Sequence, residues 1–124
     1  MSLDFKIHIT TNEIIPIVHV NGEIDVYTSN ELNQSIANVG EQNPNIILDL
    51  TNVHFIDSTG LGVIAFNAEK CRRAGSALCV ICDKPQIRKV FDASGLSGKS
   101  VLVVEEETEA ISAIQTRGGS NDNN

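Results

Sequence analysis

One serine in this chain lies among groups that could hold an anion. Residues 54–62 read His-Phe-Ile-Asp-Ser-Thr-Gly-Leu-Gly and open a helix predicted over residues 58–74, which places Ser58 at or beside the N-cap. Gly60 and Gly62 each cost such a helix about 1 kcal/mol relative to alanine, so we expect them to serve close approach by a partner more than folding. The first amides would then lie bare at the positive end of the helix dipole, where a phosphate on Ser58 is favoured. The simpler interpretation is that Ser58 only caps the helix.

Two glycine-containing segments partly match nucleotide-binding patterns. Residues 60–65 satisfy G-x-G-x-x-A, with Asp83 about twenty residues further on, but the predicted strand ends at Leu50, too early for such a turn. Residues 93–100 resemble a phosphate-binding loop with Ala93 in place of its first glycine. That segment ends a predicted helix and leads into a strand, which is the reverse of the required order. We therefore do not favour nucleotide binding at either segment.

Catalysis at Ser58 is not indicated by its neighbours. The nucleophile motif of serine hydrolases places glycine two residues before the serine, where this chain has Ile56. His8, His19 and His54 are scattered singly, without neighbours that mark a base or a metal site. We expect a protein that is not an enzyme and has no cofactor and no metal.

The three cysteines, Cys71, Cys79 and Cys82, are expected to be buried structural thiols. Cys79 and Cys82 form a nominal C-x-x-C within an apolar run, residues 77–82, that is typical of a strand. Side chains three apart on a strand point to opposite faces, so these two sulfurs could not easily meet.

Length, charge and hydropathy restrict the class of protein. The chain has 124 residues, a hydrophobic fraction of 41% and a net charge of −7, as for one acidic globular domain. Nucleic acid and membranes are disfavoured as partners because no basic cluster longer than Arg72 with Arg73 is present. The first residues lack the basic and apolar regions of a signal peptide, so we expect a cytoplasmic protein.

Strand and helix patterns alternate along the chain in the order β-β-α-β-α-β-α-β-α. This order predicts an α/β fold with a mixed, mostly parallel sheet, an antiparallel edge strand and about four helices. Residues 118–124 have nothing apolar to bury, so we expect a single domain over 1–115 and a disordered tail over 116–124. The predicted strands are 5–9, 14–20, 45–50, 77–82 and 101–104, and the helices start near 29, 58, 85 and 109.

Two local features refine this outline. Thr28 and Glu31 have the spacing of a capping box at the first helix, with Tyr27 placed to pack on Leu32. Pro16 lies inside the second predicted strand, which suggests that part of this strand is at a sheet edge.

Four segments in order resemble the STAS family, specifically the anti-sigma factor antagonists of bacteria. Residues 55–63, Phe-Ile-Asp-Ser-Thr-Gly-Leu-Gly-Val, are similar to the signature of that family. Three further segments occur in the family's order and at the family's spacing. They are residues 22–25, Gly-Glu-Ile-Asp, the strand residues 47–50, and residues 90–96, Val-Phe-Asp-Ala-Ser-Gly-Leu. The resemblance covers about residues 5 to 115.

This resemblance implies a switch between two binding states. The unmodified protein would bind an anti-sigma factor, itself a serine kinase, and so release a sigma factor. Phosphorylation of Ser58 would end that binding, and a phosphatase of the PP2C type would restore it. The resemblance also implies a docking surface that comprises Asp25, Asp57, Ser58, Thr59, Gly60 and Leu61.

Two alternatives remain open from the sequence. The chain could be a STAS module that serves a different signalling complex, without a sigma factor. Thr59 is a second hydroxyl beside Ser58 and could in principle accept phosphate, although the family pattern favours Ser58.

Overall fold

Strands and helices alternate in the computed structural model of the protein, which describes residues 4–98 and 101–122, with backbone alone for 117–122. The element order is the predicted one. The strands and helices are β1 Lys6–Asn12, β2 Ile15–Ile24, α1 Ser29–Gly40, β3 Ile46–Ile56, α2 Ser58–Arg73, β4 Leu78–Ile81, α3 Pro85–Ser94, β5 Leu102–Val104 and α4 Glu107–Asp122.

The strands form one mixed sheet in the order β1-β2-β3-β4-β5. β1 pairs with β2 in antiparallel orientation, and the other neighbours are parallel. This arrangement confirms the predicted α/β class with its antiparallel edge strand. Pro16 faces Thr11 of β1, and pairing of β2 with β3 begins only at Ile17. Proline is therefore accommodated where β2 has a neighbour on one side only.

The two faces of the sheet are covered by different helices. One face packs against α1, α2 and α3 in a cluster that includes Leu32, Ile64 and Phe91. The other face packs against α4 through Ala110, Ile111 and Ile114. Because every strand but the edge β1 is covered on both faces near its middle, the parallel strands are nearly continuous apolar runs.

The cysteines lie where the sequence predicts. Cys71, Cys79 and Cys82 are all buried and unbridged. Cys79 belongs to the cluster under α4, and Cys82 to the cluster under α1, α2 and α3. The two sulfurs of the C-x-x-C segment thus lie on opposite faces of the sheet, as predicted.

β3 is longer than predicted and ends at Ile56, not at Leu50. β4 accompanies β3 only as far as Asp49, and beyond that β3 pairs with β2 alone. The register between β2 and β3 shifts twice in this stretch, each time with one extra residue on β3. Such bulges interrupt the alternation of apolar and polar residues, and the sequence pattern therefore hid the second half of this strand.

The start of α1 also differs from the prediction. The hydroxyl of Thr28 accepts the amide of Asp25 at 3.0 Å and donates to the carbonyl of Glu23 at 2.7 Å, so it does not cap the helix. Tyr27 is 74% exposed and does not pack on the buried Leu32. The predicted capping box is wrong because the threonine side chain turns back to the preceding strand.

The segments near the other helix ends bear on two predictions. Gly95 ends α3 in the left-handed conformation, and the chain leads on to β5, which confirms that this loop follows a helix. Residues 99–100 of the candidate phosphate loop lie outside the described residues.

The backbone of α4 continues to Asp122, beyond the helix end predicted near Ile114, since extending a helix costs less than starting one. No helix within 4–98 and 101–122 is both long and apolar enough to cross a bilayer.

Candidate functional site

The candidate site lies at the carboxyl ends of β2 and β3. Ile24 and Ile56 are register partners there, and each is followed directly by an aspartate, Asp25 or Asp57. The amide of Asp57 donates to the carbonyl of Ile24 at 3.1 Å and so ties the two strand ends together. The site therefore has an aspartate at each of two adjacent strand ends, Asp57 as the residue before α2 and Asp25 in the turn that leads to α1.

Asp57, and not Ser58, is the N-cap of α2. Its backbone is extended, and its Oδ1 accepts the amide of Gly60 at 3.1 Å. The Asp57 carbonyl accepts the amide of Leu61 at 3.0 Å, which closes the first turn. Of the four orphan amides at this helix start, that of Asp57 is bound by Ile24 and that of Gly60 by the cap, whereas those of Ser58 and Thr59 have no partner among the described residues.

Ser58 and Thr59 occupy the first two positions of α2 and are both exposed. Asp57 supplies the cap of α2. The Ser58 hydroxyl is not used for capping and makes no hydrogen bond to another described residue. The interpretation of Ser58 as a mere capping residue is therefore wrong. This hydroxyl is accessible to solvent without unfolding of the helix start.

Gly60 and Gly62 differ in surroundings, although they are two residues apart. Gly60 is buried, and a methyl group on it would lie 2.5 Å from Cγ2 of Ile24 and 2.9 Å from Cγ1 of Ile56. Gly62 is exposed, and a methyl group there would meet nothing within 4 Å. The expectation that both glycines serve partner binding more than folding is wrong for Gly60, which lets α2 pack closely on the strand ends.

Asp25 organises the turn between β2 and α1. Its Oδ1 accepts the amides of Tyr27 at 2.9 Å and Thr28 at 3.2 Å. Its carbonyl accepts the amides of Thr28 and Ser29. Asp25 is half-buried, so one carboxylate oxygen holds the turn while the residue remains partly accessible.

Sequence analysis missed three exposed apolar side chains beside this site. Val26 and Tyr27 follow Asp25 directly and are 64% and 74% exposed. Phe55 precedes Ile56 and is 48% exposed, because the second bulge of β3 turns it away from the core. Two apolar residues in a turn, with nothing nearby to pack against, are the signal that could have revealed Val26 and Tyr27.

Residues 60–65 do not form a dinucleotide-binding turn, but the reason is not the early strand end that the sequence predicts. β3 in fact ends at Ile56, only one residue before α2, so the gap after Leu50 does not exist. The first glycine of the pattern, Gly60, is instead the third residue of α2, and its amide is bound by the Asp57 carboxylate. A pyrophosphate at Gly60 would meet that negative charge and would find no free amide on this glycine.

Replacing Asp57 by alanine should lower the free energy of unfolding by about 0.5–2 kcal/mol, because the Gly60 amide loses its acceptor. Asp57→Asn keeps an oxygen at the same position and should remain near the wild-type stability. Urea unfolding of the three proteins measures the difference. Equal stability of the alanine and asparagine variants would contradict the assignment of Asp57 as the cap.

Comparison with known proteins agrees with this architecture. The chain is similar to the anti-sigma-B factor antagonist of Staphylococcus aureus (strain NCTC 8325 / PS 47), with 31% identity over 108 residues, which are 86% of this chain and 98% of that protein. Its fold is similar to the crystal structure of an anti-sigma factor antagonist from Mycobacterium paratuberculosis, with a TM-score of 0.81, 27% identity, and 90% of this chain and 94% of that chain covered.

A further solved structure is that of the Bacillus cell fate determinant SpoIIAA in its phosphorylated form. It matches with a TM-score of 0.61 and 25% identity, over 89% of this chain and 98% of that chain. Residues 6–110 match the STAS domain, which is most of the part that the structure describes. The chain therefore belongs to the STAS domain family.

Proposed function

We propose that this protein is an anti-sigma factor antagonist whose binding is switched off by phosphorylation of Ser58. The observation that carries the proposal is the position of Ser58, exposed at the first residue of α2 and directly after the capping carboxylate of Asp57. The relatives in Staphylococcus aureus and Mycobacterium paratuberculosis support it, since both are named anti-sigma factor antagonists. The phosphorylated form of SpoIIAA supports a phosphorylated state in this fold.

The proposed partner in the unmodified state is an anti-sigma factor with serine kinase activity. Its binding to this chain releases a sigma factor, and a phosphatase of the PP2C type reverses the modification. The net charge of −7 favours a partner with a basic docking face and would speed their encounter.

Phosphorylation would act on binding more than on folding. A phosphate adds about −1.5 to −2 charges to Ser58, which directly follows the cap residue Asp57. At the start of α2, this charge is favoured by the helix dipole and by the unpartnered amides of Ser58 and Thr59. A partner surface that fits the neutral hydroxyl would instead leave the phosphate without its water and without hydrogen-bond donors, at a desolvation cost.

The proposed docking surface combines these polar groups with apolar neighbours. Asp25, Asp57, Ser58 and Thr59 form its polar part, the half-buried Leu61 adjoins them, and the buried Gly60 supports it from beneath. Exposed aromatic and branched side chains are the usual anchors of protein interfaces. We assign that role to three residues that surround the site, Val26, Tyr27 and Phe55.

Affinity for the cognate anti-sigma factor tests this surface. Tyr27→Ala should weaken binding about tenfold, as truncation of an aromatic anchor at an interface does. Ile14→Ala is the matched control, because Ile14 is 87% exposed and precedes β2, at the opposite end of that strand from Tyr27. It should leave affinity unchanged. An equal loss in both variants, or none in Tyr27→Ala, would contradict the docking surface.

A further inference from the structure

β1 forms an open edge of the sheet. It pairs with β2 on one side, and no strand of the described residues lies on its other side. Asn12 and Ile15 flank the two-residue turn of the β1–β2 hairpin and so form a hydrogen-bonded pair. The next pair, Thr11 with Pro16, is then non-hydrogen-bonded, which suits a proline without an amide hydrogen. Because the direction alternates along a strand, the amides and carbonyls of residues 7, 9 and 11 point to the open edge.

β1 lacks the features that usually protect an edge strand from other chains, which are prolines, bulges and several charged side chains. Residues 6–12 contain no proline, and their pairing with β2 shows no shift of register. Lys6 is the only Lys, Arg, Asp or Glu among them. Ile9, at the centre of the strand, is 48% exposed. The edge therefore offers outward-facing amides and an apolar centre to another strand.

A second copy of this chain fits the edge by two-fold symmetry. In an antiparallel pair of two β1 strands, the outward-facing residues must lie opposite one another. The register centred on Ile9 is the one that pairs all 7 residues of the strand. It sets Ile9 beside the partner's Ile9, and Ile7 opposite the partner's Thr11. All outward-facing amides and carbonyls of both strands then find partners, and the two exposed isoleucines cover each other.

Charge complementarity supports the same register. Nδ2 of Asn12 donates to Oε2 of Glu107 at 2.7 Å, so this carboxylate of α4 lies beside the end of β1. The register sets Lys6 directly opposite the partner's Asn12, on the same face of the joined sheet. This pair is non-hydrogen-bonded, the type in which side chains are closest. The Lys6 ammonium therefore comes within reach of the partner's Glu107, and the two-fold axis forms this ion pair twice.

We propose that this chain forms a symmetric dimer in which two β1 strands pair antiparallel about Ile9 and join the two sheets into one. The interface is isologous, because the same strand is used by both copies. β1 contributes no residue to the docking surface, so the proposal does not depend on the switch at Ser58.

Sedimentation equilibrium of the full chain, from micromolar to millimolar concentration, measures this dimer. Ile9→Pro removes an outward-facing amide that β2 does not use, so the monomer keeps its β1–β2 hydrogen bonds. Dimer affinity should nevertheless fall at least about tenfold. Ile9→Val is the matched control, because it keeps both the amide and a branched apolar side chain, and it should dimerise nearly as the wild type does. A monomeric wild type at millimolar concentration, or unchanged dimerisation of Ile9→Pro, would overturn the proposal.

Charge reversal gives a second test that alters no backbone amide and holds even if proline disturbs the fold of β1. Lys6→Glu sets a carboxylate near the partner's Glu107 and should weaken the dimer about tenfold, since two ion pairs become repulsive. Combining Lys6→Glu with Glu107→Lys restores opposite charges and should return the affinity close to the wild-type value. Lys89→Glu, an exposed position on α3, is the control for net charge and should leave the dimer unchanged. An equal loss in this control, or no recovery in the double variant, would contradict the proposed register.

Discussion

Replacing Gly60 by alanine is expected to lower the free energy of unfolding by about 1–3 kcal/mol, the usual cost of overpacking a core. The added methyl group would lie 2.5 Å from a side-chain carbon of Ile24 and 2.9 Å from one of Ile56. Ile24 and Ile56 are 0% and 4% exposed, so neither can move into solvent. The gain in helix propensity, about 1 kcal/mol at most, cannot offset this clash.

Gly62→Ala is the matched control for this substitution. It places the same methyl group two residues further along the same helix, where nothing lies within 4 Å. It should therefore raise the free energy of unfolding by up to about 1 kcal/mol. Urea unfolding of both variants measures the contrast. Similar stabilities would show that α2 can shift away from the strand ends, against the close packing described for Gly60.

The contrast between the glycines illustrates what the sequence could not reveal. Both occupy the start of one predicted helix, and their helix propensities are identical. Only the approach of α2 to Ile24 and Ile56, residues more than thirty positions apart from each other in sequence, distinguishes them. Propensity describes a residue and its local backbone, whereas this difference depends on tertiary packing.

Elements with regular periodicity were predictable. The apolar run around β4 and the spacing of Ile87 and Phe91 on α3 follow directly from their burial in one core. The second half of β3 was not predictable, because its bulges break the two-residue period. The capping box predicted at Thr28 is absent for a similar reason, since its hydroxyl has a competing partner, the carbonyl of Glu23, that the local pattern does not show.

The site itself was predicted in part. Ser58 and the two aspartates could be recognised from the resemblance to the family, and the structure places Asp25 and Asp57 at adjacent strand ends. Which of the two residues, Asp57 or Ser58, caps α2 was not predictable, because either residue type can cap a helix. The exposed Phe55 depends on a bulge and therefore also required the structure.

Substitutions at Ser58 should separate the effect of charge from the effect of folding. Ser58→Ala removes an exposed hydroxyl that does not cap α2, so stability should change by no more than about 0.5 kcal/mol. It adds no charge to the docking surface, and affinity for the anti-sigma factor should remain near the wild-type value. This variant should also resist phosphorylation and so bind permanently.

Ser58→Asp should fold at least as well as the wild type, because a carboxylate at the first position of a helix suits the dipole. It nevertheless adds a third carboxylate beside Asp25 and Asp57. We expect its affinity for the anti-sigma factor to fall at least about tenfold, since an interface that fits a neutral hydroxyl leaves the added carboxylate desolvated and unpaired, which costs several kcal/mol. Thermal unfolding of the free variants serves as the control that binding, and not folding, has changed.

The most direct test of the switch is to phosphorylate the protein with its cognate anti-sigma kinase and ATP. The modified residue is then mapped by peptide mass spectrometry, and the affinity of the purified phosphorylated and unmodified forms for that kinase is measured. We predict phosphate on Ser58, none in the Ser58→Ala variant, and loss of the complex in the phosphorylated form. Phosphate on Thr59 instead, or equal affinity of the two forms with Ser58 fully phosphorylated, would contradict the proposed switch.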